Sequence, residues 1–330
     1  MHLHCGQLHM VLEPEAGGRC DGVFWHVPGQ DVPIALLRPQ QAQADDVLHS
    51  ACFALGTSMS QDSPATPSDI DQFQRDGFVL RRALFSAGEV DTINTVIRHD
   101  PAIRDATYGL ADGGGASTEL ALWYTLSDDV FGAVARSQRV AGTMQALFGG
   151  PVCFYHSKLT LKRPRVGGAW DWHQDYGYWY KHGYLFPHMA SVFLAIDAST
   201  RENGCLQVLR GSHLMGRIDH GAIGGQTGAD MERVDHAMKV LEHVFVEMAP
   251  GDALFFHGNL LHASGRNDSE CHRNVLLSSY SRADNAPIRS GPNISHTPFD
   301  IVPDEDIARY RGKPIDRTAH RFRKPEKAMD

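Results

Sequence analysis

The sequence predicts a mainly β domain with flanking α-helices, of the jelly roll or barrel type. Before Pro151, apolar residues recur at the three- and four-residue spacing of amphipathic helices. After Pro151, short runs of β-type residues are separated by turn residues. The long helices that alternate with strands in a parallel α/β sheet are missing from this second half, and no internal repeat is evident. We therefore expect helices first and a β sandwich second.

Three helices are predicted in the first half of this domain. The first begins at Ser68 and ends at Gly77, ahead of a short apolar strand. The second begins at Ser86, where Glu89 three residues later completes a capping-box pattern. The third begins at Ser127, carries an apolar stripe at helical spacing and ends at the Gly-Gly-Pro sequence that precedes the strands.

The second half of the domain predicts six strands. Each is a short apolar run bounded by turn residues. Their ranges are 153–163, 191–197, 205–210, 243–248, 253–256 and 274–281. Short strands in this number, without intervening long helices, favour a jelly roll.

Charge and composition favour a globular protein that acts on a small molecule. The 330 residues carry a formal net charge of -8 and are 42% hydrophobic, which argues against a general phosphate-binding surface. No apolar run approaches the roughly 18 residues that cross a bilayer. We therefore expect a soluble protein with a small-molecule substrate and with no nucleic acid and no membrane among its partners.

The cysteines and the start of the chain predict a cytoplasmic location. Six cysteines are scattered without a CxxC pair, and three of them fall in strand-like segments, which is typical of buried reduced thiols. The first residues have no Lys or Arg ahead of an apolar stretch, so nothing there resembles a secretory signal.

The first 66 residues differ in character from the rest of the chain. They mix Gly, Pro, Gln and isolated apolar residues without a sustained period and end in a stretch rich in Ser, Pro and Thr. We interpret residues 1–66 as a poorly ordered extension and linker, and residues 67–330 as a single jelly-roll domain with a helical N-terminal part. Met59 stands where such a domain could begin, so residues 1–58 are either an extension or an over-long start.

The segment that carries chemistry contains His173 and Asp175. Residues two apart on a strand point to the same side, so this pair can offer an imidazole nitrogen and a carboxylate oxygen to one metal ion. His262, placed at the end of a later apolar strand, supplies a third ligand. Two histidines and one carboxylate form the facial triad of non-haem iron(II) oxygenases, which leaves coordination positions for a bidentate cosubstrate and O2.

A His-x-Asp sequence alone is a weak signal in a chain with 19 histidines. Arg273, eleven residues beyond His262, strengthens it. Strand alternation places Arg273 on the same side as Val275 and Leu277, which is the inward side of a half-buried strand. An inward guanidinium needs an anion, and a distal carboxylate suits its planar fork. An internal salt bridge is the alternative explanation.

These residues resemble the phytanoyl-CoA dioxygenase family of iron(II)/2-oxoglutarate oxygenases. The resemblance is carried by four motifs in order, spread over residues 69–285. They are Trp172-His173-Gln174-Asp175, the stretch from Glu202-Asn203-Gly204 to Gly211-Ser212-His213, the stretch from Gly251-Asp252 to Arg266-Asn267, and Arg273. The resemblance implies a double-stranded β-helix, which is a cupin-like jelly roll. It also implies Fe(2+) as cofactor, with 2-oxoglutarate and O2 as cosubstrates.

Carried over by position, the resemblance assigns a role to seven residues. It implies that iron is bound by His173, Asp175 and His262, which are also the catalytic residues. It implies that 2-oxoglutarate is bound by Arg273, with Ser264 near the same carboxylate. It further implies that Phe193 and Leu159 line the cosubstrate pocket. The chain departs from the family at Arg210, where Pro is common, and residues 1–58 have no counterpart there.

The reaction expected from this resemblance is hydroxylation of a C–H bond, with 2-oxoglutarate converted to succinate and CO2. Asp175 favours hydroxylation over chlorination, because related halogenases have a small residue at this position. Two other readings stay open. The same three ligands can hold the zinc ion of a hydrolase, and a cupin-like jelly roll can be a binding protein without catalytic activity.

Three further features are predicted near the site. The aromatic run at 176–186 is expected to form a loop over the metal, and the insertion at 217–243 is expected to act as a lid or specificity element. Lys158 could meet an acidic substrate, although a solvated strand face is the favoured interpretation. His257 is rejected as a ligand, because its strand parity differs from that of His262.

Overall fold

The computed structural model of this chain describes residues 65–223, 226–316, 320 and 322–323, together with four strands between residues 2 and 37. The chain divides into two compact units, Met1–Gln61 and Asp62–Asp330.

The first unit contains a four-stranded antiparallel sheet. Its strands are β1 (His2–Cys5), β2 (Leu8–Pro14), β3 (Cys20–His26) and β4 (Ile34–Leu37), paired in chain order. The sequence pattern does not predict these strands, because their apolar residues show no sustained alternation. The interpretation of residues 1–66 as an extension and linker stays a prediction.

The second unit begins with helices α1 (Pro67–Asp76), α2 (Ala87–His99) and α3 (Pro101–Ala106). The capping box of α1 is formed by Thr66 and Asp69, so the predicted start at Ser68 is wrong by two residues. Pro67 explains the shift, because proline is favoured directly after the N-cap. The predicted end at Gly77 is confirmed, since this residue has a φ of 83°, which costs glycine little.

The capping box predicted for α2 is also confirmed. The Ser86 hydroxyl accepts a hydrogen bond from the Glu89 amide, and the Glu89 carboxylate accepts one from the Ser86 amide. The third predicted helix is interrupted. It consists of α4 (Val130–Arg136), a π-helical turn (Gln138–Gly142) and α5 (Thr143–Phe148).

The cap of α4 is Asp129, so the predicted start at Ser127 is wrong. The Asp129 carboxylate accepts hydrogen bonds from the amides of both Phe131 and Gly132. This carboxylate satisfies two amides of the first turn and carries the negative charge that is favoured at a helix N-terminus.

The strands of the second unit form two main antiparallel sheets and a hairpin. The larger sheet contains β5 (Phe78–Arg81), β6 (Tyr108–Ala111), β7 (Ser117–Trp123), β8 (Val152–Lys162), β10 (Met189–Ala195), β15 (Ala253–His257), β17 (Arg273–Arg282) and β18 (Phe322–Arg323). The smaller sheet contains β9 (Trp170–His173), β11 (Leu206–Leu209), β14 (His243–Val246) and β16 (His262–Ser264). The hairpin pairs β12 (His220–Ile223) with β13 (Gln226–Ala229).

The remaining helical segments lie between these strands. Helix α6 (Asp175–Trp179) follows β9, helix α7 (Met231–Val240) follows the hairpin, and 3-10 turns occur at Ser212–Met215 and Asp304–Tyr310. Within the described residues, none of the helices has the length and apolar character required to cross a bilayer.

The two sheets enclose one apolar layer, and the helices cover the outer face of the larger sheet. Phe193 and Leu277 of the larger sheet pack with Leu206 and Val208 of the smaller one. On the other face, Val192 and Leu276 join a core cluster with the helices. Alternate residues of one strand therefore face opposite layers. This arrangement is the mainly β jelly roll with flanking helices that the sequence predicts.

All six predicted strands are confirmed, with ends that differ by up to two residues. Strands β6, β7, β12, β13, β16 and β18 are not predicted as such from the sequence, whereas β9 is expected because His173 is placed on a strand. The first two have mixed polar and apolar residues, and all of the others are four residues or shorter, too short to show a period.

Candidate metal centre and cosubstrate pocket

Antiparallel pairing of β9 with β16 brings two of the candidate ligands together. His173 is the last residue of β9, and it stands opposite His262, which is the first residue of β16. Their ring centroids are 4.1 Å apart. His262 therefore begins a strand, whereas the sequence predicted it at the end of one. The preceding strand, β15, ends at His257.

Asp175 completes the group from a different element than the sequence predicted. The pair was expected on one strand, but β9 ends at His173 and Asp175 is the first residue of helix α6. Its Oδ1 atom lies 3.8 Å from Nε2 of His173 and 3.9 Å from Nε2 of His262. All three side chains are buried, and their ligand atoms lie within 4.8 Å of one another. A single metal ion could be held by all three.

Hydrogen bonds direct the Nε2 atoms of both histidines toward this shared space. Nδ1 of His173 lies 2.8 Å from the backbone carbonyl of Asp171, and Nδ1 of His262 lies 2.9 Å from that of Leu260. A carbonyl only accepts, so Nδ1 carries the proton and Nε2 presents its lone pair. Such outer contacts fix the orientation of metal-binding imidazoles.

Burial keeps both imidazoles in the form that binds a metal. Desolvation lowers the pKa of His173 well below its usual value, and the neighbouring His262 lowers it further. Desolvation likewise lowers the pKa of His262, although Asp175 opposes this effect. Two neutral imidazoles and a carboxylate are the donor set of a facial triad, so the residues fit a divalent transition metal.

Ser191 and Gln174 hold the ligand-bearing segments in place. The Ser191 hydroxyl donates to Oδ2 of Asp175, which leaves Oδ1 facing the histidines. The fully buried Gln174 amide donates to the carbonyls of Gly216 and Asn259 and accepts from the amide of Ile218. Gln174 thus ties the turn between the first two ligands to the loop that precedes the third. The family motif includes Gln174, but its role was not predicted.

Arg273 is a buried cation without an acidic partner among the described residues. Its side chain is 1% exposed, and one Nη1 hydrogen bond reaches the carbonyl of Gly204. Its Nε atom has no hydrogen-bond partner. Burial lowers the pKa of Arg273 to about 10, so the guanidinium remains charged at neutral pH. The internal salt bridge considered from the sequence is not found there.

The Gly204 carbonyl is available because of a turn that only glycine accommodates. Gly204 has a φ of 77°, and an added Cβ atom would lie 2.2 Å from the carbonyl oxygen of Gly265. The Glu202-Asn203-Gly204 motif therefore lets two backbone segments approach closely beside Arg273.

Ser264 lies beside Arg273, and both line a small space that we call the Arg273 pocket. This pocket has a volume of about 30 Å³ and is also lined by Phe193, His173 and His262. The Phe193 ring centroid is 5.6 Å from Cζ of Arg273. The structure thus brings together six of the seven residues assigned from the sequence.

Leu159 is the exception, because the structure places it away from the residues that line the Arg273 pocket. It is fully buried in the core cluster between the larger sheet and the helices. Its neighbours Lys158 and Thr160 point the other way and line the Arg273 pocket. Strand alternation forces this outcome, because adjacent residues occupy opposite faces of the sheet.

Lys162 is a buried residue whose position was not predicted. Its Nζ atom donates to the Ser264 hydroxyl at 2.8 Å and to the Gly265 carbonyl. It stands opposite Arg273 in the pairing of β8 with β17. Desolvation lowers the pKa of Lys162 well below its usual value, and the charge of Arg273 lowers it further.

A larger cavity opens on the other side of His173 and Asp175. Its volume is about 490 Å³, and we call it the aromatic cavity because many of the residues that line it are aromatic. The aromatic residues that line it are Tyr108, Tyr124, Tyr155, Trp170, Tyr178 and Trp179. Lys158, Trp170 and His173 line both this cavity and the Arg273 pocket, so the two spaces meet beside the candidate metal site.

The segments expected near the site contribute to this cavity in part. From the aromatic run at 176–186, Tyr178 and Trp179 line it. The first part of the run, residues 176–179, belongs to helix α6, whereas a loop was expected. From the insertion at 217–243, Gln226 and Thr227 line the cavity. His257 is absent from the three-ligand group, although the strand-parity reasoning does not apply, since His257 and His262 lie on different strands.

Comparison with known proteins gives one family and a consistent set of relatives. A family model described as phytanoyl-CoA dioxygenase (PhyH) matches residues 73–275. L-proline trans-4-hydroxylase of Streptomyces griseoviridis is 31% identical over 177 residues, which are 48% of this chain and 66% of that protein. An ectoine dioxygenase of Stutzerimonas stutzeri (strain A1501) is 24% identical over 68% of this chain and 80% of its own length.

A solved structure also resembles this chain. EctD from S. alaskensis, determined with 2-oxoglutarate and 5-hydroxyectoine, superposes with a TM-score of 0.60 at 21% identity. The superposition covers 83% of this chain and 89% of that one. At this level of identity, the likeness shows a shared jelly-roll fold.

Replacement of Gln174 by leucine should weaken iron binding by about 10- to 100-fold, as is typical when outer contacts of a metal site are lost. Leucine has a similar size, but it leaves the Ile218 amide and the Gly216 and Asn259 carbonyls without partners. An anaerobic Fe(II) titration measures the effect. Gln74→Leu, on the exposed surface of α1, is the matched control and should bind iron normally. Equal affinity in the two variants would contradict the positioning role.

Replacement of Leu159 by alanine should lower the free energy of unfolding by about 2–5 kcal/mol, because it empties part of the core. The KM for 2-oxoglutarate should stay unchanged. Denaturant unfolding and steady-state kinetics measure the two quantities. Leu214→Ala, at a side chain that is 74% exposed, is the control for stability. A raised KM with an unchanged free energy of unfolding would instead show that Leu159 contributes to cosubstrate binding.

Proposed function

Since this chain belongs to the phytanoyl-CoA dioxygenase family of iron(II)- and 2-oxoglutarate-dependent dioxygenases, we propose that it hydroxylates a C–H bond of a small molecule. We propose that iron is held by His173, Asp175 and His262, and that Arg273 holds the distal carboxylate of 2-oxoglutarate. The observation that carries this proposal is the position of Arg273. Its buried guanidinium has no Asp or Glu partner among the described residues, and it lies beside a buried group of three possible metal ligands.

The electrostatics of the site support a dicarboxylate as cosubstrate. A buried charge without a counter-ion costs on the order of several kcal/mol, and Arg273 has one carbonyl hydrogen bond to offset this cost. A carboxylate in the Arg273 pocket would supply the missing charge and accept from the unpartnered Nε. Lys162 donates to the Ser264 hydroxyl from behind and so fixes the position of this hydroxyl in the Arg273 pocket.

The dimensions of the pocket agree with a ligand that runs from Arg273 to the metal. The Arg273 pocket alone, at about 30 Å³, has roughly the volume that one water molecule occupies in the liquid. A bound dicarboxylate must therefore extend out of it into the space beside His173. That space adjoins the three ligands, where the other end of the cosubstrate would be bound.

Each group has a distinct part in the proposed reaction. Bound iron(II) and 2-oxoglutarate supply the oxidant, as O2 is consumed and 2-oxoglutarate is converted to succinate and CO2. The two imidazoles and the Asp175 carboxylate would hold the iron, and the Ser191 hydroxyl keeps Asp175 oriented. The aromatic cavity holds the substrate and excludes water from the reacting bond.

Asp175 supports hydroxylation as the outcome. A carboxylate at this position fills the coordination site that a halide would need. The buried hydroxyl of Ser191 holds this carboxylate beside the two imidazoles. We therefore propose hydroxylation rather than halogenation.

We also propose that the reaction takes place in the cytoplasm, in the domain formed by residues 67–330. Cys153 and Cys205 are buried and unbonded, as expected in a reducing compartment. Burial raises the pKa of both thiols, which makes them less reactive.

Two other functions make different use of the same residues. A zinc hydrolase would need the three ligands and a water molecule, but it gives Arg273 no role. A binding protein without activity would not need three buried ligands with oriented Nε2 atoms. Both alternatives predict that no succinate is formed from 2-oxoglutarate.

An anaerobic titration with Fe(II) and then 2-oxoglutarate, followed by admission of O2, tests the proposal. We expect a visible charge-transfer band on addition of 2-oxoglutarate, and succinate release after O2 is admitted in the presence of substrate. His173→Ala and His262→Ala should abolish both signals, because each removes a ligand from a three-ligand site. His236→Ala, on the exposed face of α7, is the matched control. Full succinate formation by either ligand variant would refute the assignment.

Replacement of Arg273 by methionine should raise the KM for 2-oxoglutarate by at least about thirtyfold. This corresponds to the loss of about 2 kcal/mol or more that follows removal of one partner of a buried charge pair. Iron affinity should change little, since Arg273 is not a metal ligand. Arg163→Met, at an exposed residue that directly follows β8, controls for the change in net charge. An unchanged KM in the Arg273 variant would show that the guanidinium does not hold the cosubstrate.

A further inference from the structure

The aromatic cavity has features that point to the class of the primary substrate, an inference that rests on the proposed function. Its volume of about 490 Å³ lies within the range of roughly 300–1,000 Å³ that is usual for pockets that bury drug-sized ligands. It has room for on the order of fifteen water-sized groups at about 30 Å³ each. A molecule the size of proline would leave most of this space unfilled, even with 2-oxoglutarate bound nearby.

The walls of the cavity favour a flat, largely apolar body. Tyr108 of β6 and Tyr124, which follows β7, lie on one side, and Tyr178 and Trp179 of helix α6 lie on another. Three leucines of β6 and β7 also line the cavity: Leu110, Leu120 and Leu122. Aromatic faces bind planar ligands by offset stacking and edge contacts, which add to the gain from apolar burial.

Strand β8 places several polar side chains among these apolar walls. His156, Lys158, Thr160 and Lys162 alternate along β8 and all point inward. His156 lines the aromatic cavity, Thr160 lines the Arg273 pocket, and Lys162 lies behind Ser264. Lys158 lines both spaces and therefore stands at the junction where substrate, cosubstrate and metal would meet. It does not lie on a solvated strand face, which the sequence had favoured.

Lys158 has no acidic partner within the described part of the chain. Its Nζ atom lies 5.3 Å from the ring centroid of Trp170, and no carboxylate oxygen lies within 4.0 Å of it. Among the described residues that line the cavity, Asp175 is the one carboxylate, and it belongs to the metal site. Arg273 is assigned to the cosubstrate, so the Lys158 ammonium is the inner positive charge available to a substrate.

Two other basic groups of the cavity, His156 and Lys181, do not take over this role. Burial and the Lys158 charge lower the pKa of His156 well below its usual value, so its imidazole is neutral. Lys181 lies exposed at the mouth, where solvent weakens its interaction with a ligand. The positive charge at the inner end of the cavity therefore comes from Lys158.

We propose that the primary substrate is an organic anion with a large, aromatic or otherwise planar apolar body. Its acidic group, a carboxylate or a phosphate, binds the Lys158 ammonium, and its body occupies the aromatic cavity. This contact fixes the end of the substrate beside the metal and so determines which C–H bond is presented for hydroxylation.

Binding of matched probe pairs under anaerobic conditions tests this proposal. The protein is loaded with Fe(II) and 2-oxoglutarate, and affinities are measured by calorimetry for aryl carboxylates of increasing size, from benzoate to biphenyl-4-carboxylate and a naphthyl analogue. Each acid is compared with its neutral primary amide and with the corresponding aryl phosphate, and proline is included as a small zwitterion. We expect at least one larger acid or phosphate to bind roughly ten- to a hundredfold more tightly than its amide, as one charge-assisted contact allows.

Variants assign the preference to one side chain. Lys158→Met should remove the preference for acid over amide, Lys158→Arg should retain most of it, and both should leave the affinity for 2-oxoglutarate unchanged. Lys239→Met, on the exposed end of α7, makes the same change in net charge and should behave as the unaltered protein. Comparison of carboxylate with phosphate identifies the acidic group that the site prefers.

Several outcomes would overturn the proposal. Equal binding of acids and amides across the whole panel, no binding of any large probe, or tighter binding of proline than of the aryl acids would each do so. A Lys158→Met variant that loses affinity for 2-oxoglutarate would instead assign this lysine to the cosubstrate. Loss of iron or 2-oxoglutarate binding in the unaltered protein would be seen before any probe is added, and it would refute the proposed function itself.

Discussion

The pairing of two short strands, β9 and β16, is the constraint on which the site depends. It places His173 directly opposite His262, although almost ninety residues separate them along the chain. Nothing local holds either histidine near the other, so the smaller sheet must close before a metal site exists. Gln174 reinforces this closure, because its side chain hydrogen-bonds to two loops, one at Gly216 and Ile218 and the other at Asn259. The buried amide network and the ligand geometry are therefore parts of one arrangement.

Closure of the sheet also has an electrostatic consequence. Arg273 and Lys162 are both enclosed with no carboxylate partner among the described residues. Burial lowers the pKa of each, and the charge of Arg273 lowers the pKa of Lys162 further. Two such buried groups lower the free energy of unfolding of the domain. An anionic ligand offsets this cost when it binds, so the same feature that destabilises the free protein strengthens its hold on a dicarboxylate. Binding of the cosubstrate should therefore raise the stability of the domain by linkage.

The sequence predicts this fold well where the pattern is local and long enough. The capping box at Ser86 and the long strands β8 and β17 follow from spacing and residue type. The N-cap of α4 was misplaced, since Ser127 and Asp129 both suit a cap and only the folded backbone selects one. Strand β9 has four residues, too few to reveal that Asp175 lies beyond its end.

Site residues could be assigned by motif but not by contact. His173, Asp175, His262 and Arg273 are recognisable because their spacing and types combine in a known order. Lys162 gives no such signal, because a lysine near the end of a strand is exposed in most proteins. Its burial depends on a long-range pairing with the strand that carries Arg273. No short segment of sequence contains that information.

Leu159 and Lys158 show how one strand separates stability from specificity. They are adjacent in β8, yet Leu159 is buried among core residues and Lys158 lines the two binding spaces. An error of one position in a motif alignment therefore exchanges a core residue for a ligand-binding one. The same alternation means that inward positions such as 156 and 158 can change without disturbing the packing under the helices. A fold built in this way can keep its metal chemistry fixed at β9 and β16 while β8 adapts to different substrates.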